Sequence, residues 1–559
     1  MRALAAAAIT AALALTSAGA AAQDGEAGGA GTLTIGIDQF PSTFHPSINA
    51  MLAKAYMHGL TRRPVTAYGP DWDLVCMLCT EVPTLDNGLA EKETLPNGDT
   101  GIAITYKLHP EARWGDGHPV TSEDVKFAVR VGQHPKSGVP GTEIYERIRE
   151  VEVHGPKRFT LHIDRVTFDY NAFSMPLLPA HLEREVFDAD PAEYRHRTTF
   201  QRQPTNPGLY NGPYRMASVE RGSRAVFEPN PEWHGEPPAF DRVVVRTIEN
   251  AAALEANLLS GSIDMIAGEL GLTVNQALKL KERAGDRFQF AFKPGLIYEH
   301  IDFNLGNPIL KNRKVRRALA YAADREMIVQ QLFGGEQPVA DGPISPLADA
   351  HAEDVPTYGH DPEKARELLD AAGWDDKRRG IRHKDGEPLR LTFMTTAGNR
   401  VRELVQTTLQ SQWKAVGVDV RIANQPARVF FGETMAKRDY KAMGMYAWLS
   451  APRSVPRTTL HSDHIPTADN NWSGQNYPGY TNKRMDELLT RIETELDTQK
   501  RHELFAEMQR LYAKDLPALP LYWRAQAHVL PTWLTGFRAT GHQFPSTLWV
   551  EQWGRSGAQ

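Results

Sequence analysis

The residues best suited to chemistry lie in one stretch, Tyr440–Pro456, which reads YKAMGMYAWLSAPRSVP. Trp448, Ser450 and Arg453 put a ring, a hydroxyl and a cation in close succession. Such a set suits holding a solute: stacking, hydrogen bonding and pairing an anion need no nucleophile. The sequence has no G-x-S-x-G, H-E-x-x-H or G-x-x-x-x-G-K-[ST] motif, so no catalytic residue is assigned and no cofactor is expected. His461, Asp463 and His464 are crowded too closely along the chain to turn together toward one ion, and no metal is assigned to them. Cys76 and Cys79 form the only cysteine pair, spaced C-x-x-C. Zinc needs further ligands, and the context DLVCMLCTEVP lacks the strand-to-helix setting of a redox motif. A local disulfide in an oxidising compartment is the expectation, with inert thiols as the alternative.

The elements that must position the Trp448 stretch follow from periodicity. Ala442–Leu449 has the length and apolar character of a buried strand, and Pro452 and Pro456 end it. Upstream, Leu389, Leu391 and Phe393 alternate on a strand. A helix over Asn399–Val416, a strand carrying Val418, Val420 and Ile422, and a helix over Ala427–Lys437 follow. This βαβαβ order predicts parallel strands, with ligands collecting at their carboxyl ends, where Trp448–Arg453 lies.

The rest of the chain supplies two further blocks. Thr32–Ile37 alternates as a strand and runs into a loop carrying Phe44 and His45. Residues 69–210 mix strands and short helices without a βαβ rhythm, as in an α+β insertion. From Asn211 the rhythm is α/β again, up to a break at Lys293-Pro294-Gly295. Lys311–Arg317 holds five basic residues, expected as a solvated helix face. Phe544, Leu548, Trp549 and Trp553 in the tail are packing material for a domain already begun.

With 63 Lys+Arg against 68 Asp+Glu in 559 residues, the formal charge of -5 gives no support for a nucleic-acid partner. Met1–Ala22 has a charged start, an Ala/Leu-rich centre and small residues before Gln23, the pattern of a secretory signal cleaved near Ala22. No cysteine stands at that point, so the exported chain is expected to be soluble and periplasmic, not a lipoprotein.

Several motifs then carry a family resemblance. They are Trp114-Gly115-Asp116-Gly117-His118-Pro119 running to Asp124-Val125, Asn211-Gly212-Pro213-Tyr214, Val315-Arg316-Arg317-Ala318-Leu319-Ala320-Tyr321-Ala322, and Asp361-Pro362-Glu363-Lys364-Ala365 leading to Ala371-Ala372-Gly373-Trp374. In that order, over about Thr32 to Trp523, the chain resembles the family 5 extracellular solute-binding proteins, the peptide and nickel receptors of ABC importers. The resemblance implies an α/β, two-lobed periplasmic-binding-protein-like fold with an α+β subdomain inserted in the first lobe. The expected division is 32–68, 211–294 and 520–559 for the first lobe, 69–210 for the insertion and 295–519 for the second lobe.

The same resemblance implies hinge closure on a peptide or peptide-like solute and delivery to membrane permease subunits, by a protein expected to be monomeric. The expected ligand contacts are Trp448, Ser450, Arg453, Asn471, Trp472, Tyr298, Phe44 and His45. One position departs from the peptide-binding pattern: Ala451 stands where those members carry an acid for the peptide's amine. That departure points to a blocked or modified peptide or to an anionic or sugar-like solute, with Arg453 pairing its acidic or acceptor group. A metal–chelate receptor using His45 or the His461 cluster, an exported hydrolase, and a sensor or chaperone are the other readings.

Overall fold

Two unusually long apolar strands, Phe288–Phe303 and Ala518–Pro531, organise the molecule. In this computed structural model, which describes residues 31–49, 51–139 and 143–557, they pair antiparallel at the middle of a ten-stranded sheet. The signal segment 1–22 lies outside the described residues. On one side of the pair stand Met443–Leu449, Arg390–Met394 and Asp419–Ile422; on the other stand Met265–Ile266, Thr32–Ile37, Arg242–Thr247, Arg224–Pro229 and Tyr214–Glu220.

The βαβαβ reading predicts parallel strands, and Arg390–Met394 pairs parallel with both Asp419–Ile422 and Met443–Leu449. One connection differs. Ala427–Lys437 forms a short α-turn over Ala427–Val429 and then a wide π-turn over Phe430–Met435. The wider turn lets Phe430 and Met435 enter a small core with Tyr440 and Tyr446, which a regular helix would point elsewhere.

Two large apolar cores form. One gathers Leu33, Ile35, Val243 and Val245 with Tyr106, Trp114 and Phe159 from the antiparallel sheet region near residues 90–163. The other gathers Ile301, Phe303, Leu391, Phe393, Trp413, Met443 and Leu519. Local signals act as the sequence indicates. Thr121 and Asp124 close a capping box on the helix Ser122–Gln133, and Asp361 caps Pro362–Asp370 with proline in the first turn.

The basic cluster near residue 315 is mostly the solvated face expected of it, with Lys311, Arg313 and Lys314 exposed, but Arg316 departs from it. Arg316 is buried, and its guanidinium donates to the carbonyls of Leu310, Lys311, Asp515 and Leu516. Two of those carbonyls close the C-terminal end of the helix Thr498–Asp515, where unpaired oxygens favour a cation. Cys76 and Cys79 are joined as a disulfide.

The tail closes the first core. Trp72 Nε1 donates to the Thr540 carbonyl at 2.8 Å, and His542 Nε2 bonds the Gly69 carbonyl at 2.9 Å. The Phe544 N–H donates to His542 Nδ1 at 3.2 Å, so both ring nitrogens serve the neutral imidazole. Burial pulls His542 down to about 4; the Gly69 bond opposes this, and Lys293 adds to it. The unfolded ring therefore takes up a proton at a higher pH than the folded one. Stability is expected to decline as pH falls from about 6.5 toward this folded value. Thermal melts across that window are expected to fall less steeply for His542→Gln than for wild type; parallel declines would refute this role.

Candidate functional site

The ladder of the central strand pair is interrupted. Its register shifts between Pro294 and Tyr298 and again between Glu299 and His300. At the first shift Gly295 meets Gly541 closely: a Cβ on Gly295 would stand 2.6 Å from the Gly541 carbonyl oxygen, and Leu296 N donates to that oxygen at 3.0 Å. This bend falls at the Lys293-Pro294-Gly295 break, the junction expected between the lobes. Just beyond it Ser450 N donates to the Leu296 carbonyl at 2.9 Å, so the end of Met443–Leu449 and the loop after it open at the junction.

A buried carboxylate fixes the second-lobe side. Glu299 is fully buried, and Arg402 Nε, from the helix Arg400–Ala415, donates to its two oxygens at 3.1 and 3.2 Å. Arg524 from the neighbouring long strand donates to the same carboxylate with its side chain 38% exposed. Burial alone lowers the Arg524 pKa, but Glu299 outweighs it and the net shift is upward. One acid thus ties a helix and two strands together beside the bend.

Aromatic rings line the next layer. Tyr298 stacks on His300 at 4.8 Å and lies 5.1 Å from Trp523, and half-buried Trp448 packs against both Tyr298 and Trp523. Deeper, Tyr446 donates to Asp302 at 2.6 Å, and His300 Nε2 is 3.3 Å from the other Asp302 oxygen.

Arg453 is half-buried and holds a positive φ of 59°, a left-handed backbone that costs a non-glycine residue about 1–2 kcal/mol. Among the described residues its guanidinium makes no hydrogen bond or ion pair. It does act electrostatically across the junction. Burial raises Tyr68 to about 12, with Arg453 pulling it back and Asp169 and Asp349 pushing it up. Arg501 is lowered by burial and then by Arg453. Tyr68 and Asp169 belong to the first half of the chain and Asp349 and Arg501 to the second, so the Arg453 charge sits between them.

A loop near residue 168 bridges the same gap. Phe168 N donates to the Glu493 carbonyl at 3.0 Å, and the Phe168 ring enters a cluster with Leu460, Leu488, Leu504 and Phe505. The Arg501 guanidinium caps that ring at 4.6 Å from its centroid. This ring packs the 168 loop against residues 460–512.

The expected contacts separate into three groups. Tyr298, which is buried, pairs with Trp448 across the two strands, Ser450 follows at the strand end, and Arg453 stands in the loop beyond. Asn471 and Trp472 are exposed on a loop where both have positive φ, held by Trp472 N donating to the Thr467 carbonyl at 2.7 Å. No hydrogen bond or ring contact joins that loop to Trp448 or Arg453 among the described residues. Phe44 and His45 do not fit a ligand role: both are buried in the first core, with His45 Nε2 bonded to the Tyr194 hydroxyl at 3.2 Å and Phe44 against Phe40. The His45 ring packs inward against the rings of Tyr194 and Phe200. His461 caps the turn Ser462–His464, accepting from Asp463 N, while Asp463 points outward.

Sequence reasoning did not single out Glu299, Arg402, Arg524, Tyr68 or Phe168. The only local signal for Phe168 is a large apolar ring in the charged, turn-rich run Asp164-Arg165-Val166-Thr167-Phe168-Asp169.

The fold and junction define a two-lobed binding protein with its candidate site between the lobes. The sequence profile described as "Bacterial extracellular solute-binding proteins, family 5 Middle" matches residues 84–465, and the chain belongs to that family. The oligopeptide-binding protein AppA of Bacillus subtilis is 28% identical over 475 residues, covering 83% of each chain. The oligopeptide-binding protein of Thermus thermophilus, solved with a pentapeptide, superposes with a TM-score of 0.71 at 28% identity, covering 95% of this chain and 97% of that one. NikZ of Campylobacter jejuni, solved with Ni(L-His), shares the fold at a TM-score of 0.71 and 22% identity, covering 94% and 99%. The first two are described as oligopeptide-binding proteins. Among the described residues no helix is long and apolar enough to cross a membrane.

Glu299→Gln is expected to destabilise the second lobe by about 3–5 kcal/mol, because Arg402 loses its counter-charge where water cannot replace it. Denaturant unfolding of Glu299→Gln with and without Arg402→Met checks this: the double variant should recover part of the loss, and no recovery would sink the account. Phe168→Ala is expected to enlarge the ligand-free molecule in solution scattering by releasing the packing of the 168 loop. An unchanged radius of gyration would show that the ring does not hold the lobes.

Proposed function

We propose that this chain is the exported receptor of an ABC importer. It captures a peptide or peptide-like solute between its lobes and delivers it to membrane permease subunits. Its working division is 32–68, 211–294 and 520–559 for the first lobe, 69–210 for the insertion and 295–519 for the second lobe. The observation that carries the ligand assignment is the Arg453 guanidinium, half-buried at the junction and without a partner among the described residues. A cation so placed favours a ligand that brings an acidic or hydrogen-bond-accepting group, since a buried charge left unpaired is costly. Trp448 and Tyr298 serve as apolar walls and Ser450 as a polar contact, with Asn471 and Trp472 as outer contacts on a neighbouring loop.

Ala451 shapes the specificity. With no acid between Asp439 and Asp463, the loop offers a ligand's free amine no counter-charge. A peptide with a blocked amino end, or one whose acidic side chain meets Arg453, suits this loop. A second reading, an anionic chelate, has the same support from Arg453.

Mass spectrometry of ligand released by denaturing protein taken from its native periplasm distinguishes the two. Calorimetry with that ligand then tests the residue. Arg453→Ala is expected to lose about 1.5–3 kcal/mol of binding, roughly 10- to 150-fold in affinity. Equal affinity in wild type and variant would remove Arg453 from the site, and conversion of the ligand to product would replace the receptor reading with an enzyme.

A further inference from the structure

Away from the junction, three ligand-type side chains meet that the receptor reading does not use. Asp116 and His118 stand on the turn between Trp114 and Val120, and His181 lies in the first turn of the helix Ala180–Ala189. The turn is stiff. Trp114 N donates to the His118 carbonyl at 2.7 Å, Gly117 N to the Trp114 carbonyl at 2.9 Å, and Gly115 N to the Tyr210 carbonyl at 2.7 Å. Gly117 has a φ of 88°, a conformation that only glycine adopts readily.

Within this frame Asp116 faces both histidines. His181 Nε2 is 2.8 Å from Asp116 Oδ2, and His118 Nδ1 is 3.5 Å from Asp116 Oδ1. The two imidazoles stack at 4.2 Å with an interplanar angle of 13°. One donor atom from each residue lies within 4.8 Å of the other two. Partial burial raises the Asp116 pKa, but the bonds from His181 and the His118 N–H outweigh it and hold the carboxyl below its usual range.

We propose that Asp116, His118 and His181 form a binding site for a divalent ion of intermediate softness, zinc or nickel, that staples this turn to the helix Ala180–Ala189. Two imidazole nitrogens with one carboxylate suit those ions, whereas magnesium and calcium favour all-oxygen sites. Bonds of about 2.0–2.2 Å set donor atoms roughly 3–3.5 Å apart around the ion, and the two Asp116 separations fall close to that range. An ion must lie in the plane of each imidazole, so the stacked rings cannot share it as they stand. His118, with 59% of its side chain exposed, turns out of the stack. The proton between His181 Nε2 and Asp116 leaves to water, and water fills the remaining coordination positions. The site shares no residue with the interlobe contacts.

The test is calorimetric titration of tag-free, EDTA-treated full chain with zinc chloride, and separately with nickel chloride. The expected result is one ion per chain, a higher melting temperature with the ion, and no heat with magnesium chloride. Affinity should fall at least about tenfold in Asp116→Asn and vanish in a His118→Ala/His181→Ala double variant whose melting temperature in EDTA equals that of wild type. Arg453→Ala should bind the ion as wild type does, which separates this site from any chelate held between the lobes. Undiminished binding in the double variant, or no saturable binding by wild type, overturns the proposal. If the double variant fails to fold, anomalous scattering at the zinc edge from wild-type crystals decides: a peak bonded to the three side chains supports the site, and its absence refutes it.

Discussion

The longest strand pair of the molecule breaks its own ladder. Phe288–Phe303 and Ala518–Pro531 carry one apolar core along their length, from Phe290 and Val529 to Ile301 and Leu519, yet their hydrogen bonds lose register between Pro294 and Tyr298. Pro294 has no N–H to give, and Gly295 allows the Gly541 carbonyl to come close, so the break falls at a point where the backbone tolerates it. Everything functional in the molecule is arranged about that bend. The strand Met443–Leu449 ends beside it, the Glu299 carboxylate stiffens its second-lobe side, and the Phe168 ring spans the gap from the insertion.

Charges are placed by the same economy of partners. Arg316 and Arg402 are buried and saturated, one by helix-end carbonyls and one by Glu299. Arg453 is half-buried, in a strained backbone conformation, with neighbours that act on it only at a distance. That contrast separates a structural cation from a candidate binding cation more clearly than residue type does. Family membership and the relatives' described ligands fit a solute held at this junction, and the loop composition around Ala451 narrows the kind of solute.

The architecture was largely legible in the chain. Period-two alternation at Thr32–Ile37 and around Leu391, the Asp361-Pro362 cap and the Thr121–Asp124 box are local signals, and each gives the element it predicts. The π-turn at Phe430–Met435 was not legible, because apolar residues at helical spacing look the same whether the turn closes after four residues or five. The burial of Phe44 and His45 was not legible for a related reason: a loop rich in aromatics after a strand resembles a site, and only the rings packed on it, Phe40 on Phe44 and Tyr194 and Phe200 on His45, place it in the interior.

By itself the sequence determined the order of elements, the parallel second-lobe unit, the stretch from Trp448 to Arg453 as a strand end, and the missing acid at Ala451. Those properties depend on neighbours along the chain, through side-chain periodicity and turn chemistry. Only the tertiary structure decided which charges are satisfied, that Glu299 gathers Arg402 and Arg524, that Phe168 packs against Leu460 and Phe505, and that Asp116 and His118 meet His181. Those pairings join residues tens to hundreds of positions apart. No local periodicity encodes them, because burial and Coulomb interactions depend on distance in space and on the solvent excluded there.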